Sequence, residues 1–196
     1  MTALHTSFVL GYHGCSEKVG RSLILRQQQP IKSETAYDWL GPGFYLWESD
    51  PQRAYEWAEQ KKKRDPTFKP FVVGVVLDLG NCLDLTNRED LALLQVAYDG
   101  LKATLDVQGT PLPENRDASF DSNNDKLFRN LDCAVIRYLH ASLDTGSPLP
   151  AAYDTVRGLF QEGAPLYPGS GFRSKTHTQI AVCNLDCIKG FFIPPL

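Results

Sequence analysis

Three short stretches hold the residues best suited to chemistry: "GYHGC" with His13, "GPGFYLW" with Tyr45, and "THTQIAV" with Gln179. His13 closes an apolar and aromatic run and is followed by glycine, the pattern of a strand end. The glycines before Tyr45 permit close approach of the backbone to a flat ligand. Gln179 offers an uncharged amide just after a Gly-rich stretch. These residue types suit a ribosyl nucleotide. His13 would donate to a ribose hydroxyl, an aromatic ring would stack on nicotinamide, the Gly14 backbone would pair with a carboxamide, and Gln179 would bind the second ribose hydroxyl.

Other chemistries find less support. Cys15 shares a strand face with His13, but no third group is visible to orient a thiol nucleophile. A metal site from His13, His177 and a carboxylate has no ligand spacing behind it. The chain carries no G-x-S-x-G, no Walker loop, no H-E-x-x-H, and no G-x-G-x-x-G opening a helix. "GPGFYL" leads into a strand, so it lacks the context of a phosphate loop. "KKKR" at 61–64 reads as a solvated helix end that favours the negative pole of the helix dipole.

The elements that must position these residues are readable in outline. "SFVLGYHG" predicts a strand, and "CSEKVGRSLILRQ" a short helix capped by Ser16. "QQPIKSETAYDWLGPG" predicts a loop and "GFYLW" a strand. Asp50 and Pro51 mark the start of a helix through "QRAYEWAEQKKKR". "FVVGVVLDL" is apolar almost throughout, which predicts a strand buried on both faces. "NREDLALLQVAYDGLKATL" predicts an amphipathic helix with Leu91, Leu94, Tyr98 and Leu101 on one face. A polar loop over 106–126 and a helix over "LFRNLDCAVIRYLHASL" follow, then a break at "TGSPLPA". "YDTVRGLF" predicts a strand, "QEGAPLYPGSGFRSK" a surface loop, and "THTQIAVCNL" and "CIKGFFI" two closing strands. Strands come first and last with helices between, which points to α+β rather than a doubly wound sheet.

The 196 residues suit one domain spanning 1–196. A net charge of −3 gives no overall basic surface for nucleic acid, although one local patch would suffice. The five cysteines show no zinc spacing and read as reduced, buried thiols. No stretch approaches the ~20 apolar residues of a membrane span, and no leader is evident, so the expectation is a soluble, cytosolic chain without a membrane partner.

"YHG", then "GPGFYLWESDPQRAYEWA", then "KTHTQIAV" resemble the three signature strands of the ADP-ribosyltransferase superfamily, in its histidine–tyrosine branch. The chain is similar to a group of small bacterial ADP-ribosyltransferase-like domains, and "LDLTNREDLALLQVAYDGLK", "LDCAVIRYLH", "YDTVRGLFQEG" and "CIKGFF" extend the likeness over most of its length. The resemblance implies a split, antiparallel-rich sheet with flanking helices and NAD, as substrate, in the central cleft. It implies His13 on ribose hydroxyls and nicotinamide, Tyr45 stacked on the nicotinamide ring, and Gly14, Gly43 and Phe44 beside them. The third signature position falls on Gln179, where most active relatives carry glutamate.

That departure bears on activity. A glutamate there stabilises the oxocarbenium-like transition state, and its loss costs about 10²–10³ in rate unless another acid serves. Glu162, Asp132 and Asp125 are the candidates by context. The alternatives are a route like that of the NAD-dependent RNA 2′-phosphotransferases, or a degenerate NAD-binding module. His177 points the same way as Gln179 and, by the resemblance, touches the acceptor, although a half-exposed strand histidine is an equal reading. Arg173 and Lys175 would hold a pyrophosphate or acceptor phosphates, or simply be solvated. Trp47, Trp39 and Tyr37 read as core or cleft wall. The expectation is a bacterial toxin or defence effector that ADP-ribosylates RNA, DNA or protein, nucleic acid slightly favoured, with an antitoxin or immunity partner.

Overall fold

A computed structural model describes residues 8–119, 121, 123–143 and 153–195. The break expected over 145–151 lies outside these residues. The described part is α+β, with a seven-stranded, mostly antiparallel sheet and a two-stranded one. The strands are β1 (Phe8–Ser16), β2 (Phe44–Glu48), β3 (Pro70–Asp78), β4 (Cys82–Asp84), β5 (Asn115–Arg116), β6 (Phe128–Arg129), β7 (Thr155–Phe160), β8 (His177–Val182) and β9 (Ile188–Phe192). The helices are α1 (Glu17–Ile24), α2 (Pro51–Arg64), α3 (Arg88–Gln108) and α4 (Asn130–Leu143). The large sheet runs β4-β7-β8-β2-β1-β3-β9, so the strands carrying Gln179, Tyr45 and His13 are consecutive neighbours.

Local chemistry fixes the ends of the first helices. The Ser16 hydroxyl accepts from Val19 N, and the Asp50 carboxylate accepts from Arg53 N ahead of Pro51. In α3 the packed residues are Leu93, Leu94, Ala97, Tyr98 and Leu101. Leu91, expected on that face, lies in the first turn of α3 and is 47% exposed.

Residues opposite one another in a ladder share a face. On one face Cys15, Val73, Val75, Phe44, Leu46, Ile180 and Val182 form an apolar core, closed by Leu23 of α1. On the other, α2 lays Ala54 against Trp47 and Val72, while α3 and α4 cover Leu83, Val156 and Ala181. Val72 to Val75 are buried consecutively, as befits a strand covered on both sides.

One joint in the sheet is thin. The β1–β2 ladder has two register pairs, Gly11↔Glu48 and Tyr12↔Trp47, extended by Ser49 N donating to Leu10 O. By contrast, β1 pairs with β3 along its full length from Phe8 to Ser16. Beyond Tyr12 a seam opens between β1 and β2, and His13 stands at its start.

Candidate functional site

His13 spans the seam: its Nδ1 lies 2.9 Å from the Tyr45 carbonyl oxygen. A carbonyl only accepts, so Nδ1 carries the proton and Nε2 is an acceptor in the neutral ring. The fixed tautomer reverses the donation from His13 expected from its residue type: a ribose hydroxyl would donate to His13. The ring packs on Phe44 with centroids 4.4 Å apart. Burial lowers the imidazole from 6.5 to about 4, opposed by the Tyr45 carbonyl and aided by Lys61. His13 is therefore neutral at pH 7.

A stability consequence follows. Between about 4 and 6.5 the unfolded chain binds a proton on His13 that the folded chain refuses. Stability is then complete above pH 6.5 and is lost as pH falls toward about 4. The melting temperature should drop across that window, and His13→Gln should flatten part of the slope; an unchanged slope in the variant would rule His13 out as the cause.

The expectation that the His13 and Tyr45 side chains line one cleft is corrected by strand alternation. Tyr12 and Trp47 are ladder partners, so Tyr45, two residues from Trp47, shares their face, while His13 points to the opposite one. Contact between the two runs through the Tyr45 backbone. The Tyr45 hydroxyl accepts from Leu40 N at 3.0 Å and donates to Gly41 O at 2.8 Å, which ties down the loop before β2. Burial raises its pKa well above the usual value.

The glycines serve packing. A Cβ on Gly14 would lie 2.0 Å from Ala54 O, so α2 rests directly on this strand. Gly43 exchanges both backbone hydrogen bonds with Ser33 and lies against Ala181. Phe44 is buried in the core. Cys15 is also buried, and burial pushes its thiol up to about 11, which disfavours a thiolate beside His13.

The opposite face gathers a cluster that sequence reasoning reached only in part. Gln179 is the ladder partner of both Trp47 and Gly158. The Trp39 indole Nε1–H donates to Gln179 Oε1 at 2.6 Å. An indole can only donate, so the orientation of the amide is fixed and its NH2 is the end left for a ligand. Gln179 thus presents a donor where a glutamate would present an acceptor. Trp39 meets Phe160 edge-on at 5.1 Å, and His177 stacks on Phe160 at 5.6 Å with rings 15° apart.

No family model, curated protein or solved structure matches the chain.

His177 is buried, not half-exposed, and burial lowers its pKa. Its Nδ1 lies 2.6 Å from Lys175 O and 3.8 Å from Glu162 Oε2. Glu162 receives Arg53 Nη2 on both oxygens, at 2.7 and 2.6 Å, across the sheet's covered face. Arg53 had no signal in the sequence, because a lone arginine ahead of "KKKR" looks solvated. Its partner lies 109 residues away.

The other nominated charges are engaged elsewhere. Arg173 Nη1 reaches Gly163 O at 2.9 Å and buried Asp125 at 3.3 Å. Asp125 also accepts from Gly163 N, which makes it a brace of the 161–176 loop. Asp132 pairs with Asn115 and Arg129 at the start of α4. Lys175 is exposed, and its backbone is held by Glu162 O. Of the three nominated acids, Glu162 alone approaches the β8 cluster through a contact with His177.

Proposed function

We propose that the chain is an NAD-dependent ADP-ribosyltransferase whose dinucleotide enters at the β1–β2 seam. The observation that carries this reading is the adjacency β8-β2-β1, which brings Gln179, Tyr45 and His13 onto three neighbouring strands where the ladder parts. A parted sheet offers backbone groups to a flat ligand without a ladder to break. Neutral His13, with Nε2 as acceptor, suits a ribose hydroxyl. On the opposite face of the sheet from His13, half-buried Trp39, edge-on to Phe160, is the ring placed for stacking. The acceptor is a nucleic acid or protein, and the role a bacterial toxin or defence effector, with an antitoxin or immunity partner.

A second reading, a non-catalytic NAD or nucleotide binder, is favoured by two contacts: the Gln179 carbonyl is taken by Trp39, and Glu162 is neutralised by Arg53. Incubation with NAD labelled in the nicotinamide and the adenylate separates the two. Transfer predicts nicotinamide release and label on RNA, DNA or protein, with His13→Ala lowering release about 10²-fold. Equal background release from wild type and variant would leave only the binder.

A further inference from the structure

Four buried polar atoms beside the β8 cluster make no hydrogen bond: Trp47 Nε1, His177 Nε2, and Arg53 Nε and Nη1. Their residues are each more than nine-tenths buried, at 5%, 6% and 7% exposure. They lie together. The Trp47 and His177 rings are 6.3 Å apart, and Glu162, beside His177, grips Arg53. The nearest carboxylate to Arg53 Nη1 other than Glu162 is Glu56, at 3.6 Å.

The polarity of whatever joins them is fixed. Nδ1 of His177 must donate to Lys175 O, so its neutral Nε2 is an acceptor. Trp47 and Arg53 only donate. A phosphate or carboxylate would confront the His177 lone pair and the Glu162 carboxylate. An ammonium would confront Arg53. An alcohol hydroxyl satisfies both sides, donating to His177 Nε2 while its oxygen accepts from Trp47 Nε1 or Arg53.

The geometry points to a binding site for an alcohol hydroxyl, of the kind a sugar carries, formed by His177, Trp47 and Arg53, with His177 as its base. The four atoms are covered, so a hydroxyl enters only as the side chains around them move. If NAD reacts at the seam, a step that rests on the reading above, this hydroxyl is the acceptor. Its oxygen bonds to the ribosyl anomeric carbon, the carbon–nitrogen bond to nicotinamide breaks with its electron pair on nitrogen, and the hydroxyl proton passes to His177 Nε2. Glu162, 3.8 Å from Nδ1, favours the imidazolium so formed, and the Arg53 guanidinium opposes it.

Nitrogen-labelled full-length chain tests the site without chemistry. The Trp47 indole N–H signal, assigned with Trp47→Phe, is followed during titration with methyl β-ribofuranoside and, separately, inorganic phosphate. The riboside should shift it saturably and phosphate should not. His177→Phe, which keeps the stack on Phe160, should weaken the riboside about tenfold while melting normally. If His177→Phe fails to fold, the riboside effect is read instead on the His177 ring signals of Trp47→Phe, which should weaken similarly. A response to phosphate alone, or no saturable shift, overturns the site. With NAD and methanol, loss of methyl ADP-riboside relative to ADP-ribose in His177→Phe supports the base role, and an unchanged ratio removes it. Riboside binding without nicotinamide release from wild type would sink the NAD reading and leave the hydroxyl site standing.

Discussion

Gln179→Glu should raise nicotinamide release from NAD about 10²-fold at neutral pH. The wild-type amide gives its oxygen to Trp39 Nε1–H at 2.6 Å and turns its NH2 to the site. A carboxylate keeps that bond with one oxygen. It then offers the other as a charged acceptor for a ribose hydroxyl and for the positive charge that grows as nicotinamide departs. Only the transition state carries that charge, so the gain belongs in kcat more than in KM. Trp39→Phe should give a smaller rise, since it frees an uncharged carbonyl. Single-turnover release by both proteins is the measurement. A rate equal to or below wild type would mean that position 179 does not face the reacting carbon.

Glu162→Ala should cost about 3–5 kcal/mol of folding stability. Arg53 would be left as a buried guanidinium with no counter-charge nearer than Glu56, at 3.6 Å and half-exposed. The side chains of the pair are 8% and 11% exposed, so solvent screening offers little relief. Paired replacement by Arg53→Met and Glu162→Leu should recover most of the loss, because the desolvation of both charges is removed together. Urea midpoints of the three proteins decide it. A loss for Glu162→Ala within about 1 kcal/mol would place the pair with ordinary surface ion pairs.

Elements whose signals are local were legible in the sequence. Ser16 and Asp50–Pro51 mark helix starts because capping is settled within a few residues, and both helices begin where those caps place them. The Val72–Val75 run betrays a strand covered on both faces. Three-residue β4 was missed, since Cys82–Asp84 is too short to show a period and is held by parallel pairing to β7. Distances along the chain explain the gaps in the site. Trp39 finds Gln179 across 140 residues and Arg53 finds Glu162 across 109, so neither pair shows in any window of sequence. The facing of His13 away from Tyr45 was hidden for another reason. It depends on which residues of β1 and β2 stand opposite one another, and the ladder, not the motif, decides that.

The thin joint between β1 and β2 also has a mechanical meaning. A sheet whose fourth and fifth strands share two register pairs behaves as two plates on a short hinge at Gly11–Tyr12. The apolar filling shared by Val73 and Val75 on one plate and Phe44 and Ile180 on the other acts as the spring. Flexing about that hinge strains side-chain packing but few hydrogen bonds, so the sheet's softest motion is concentrated along the line on which His13 stands.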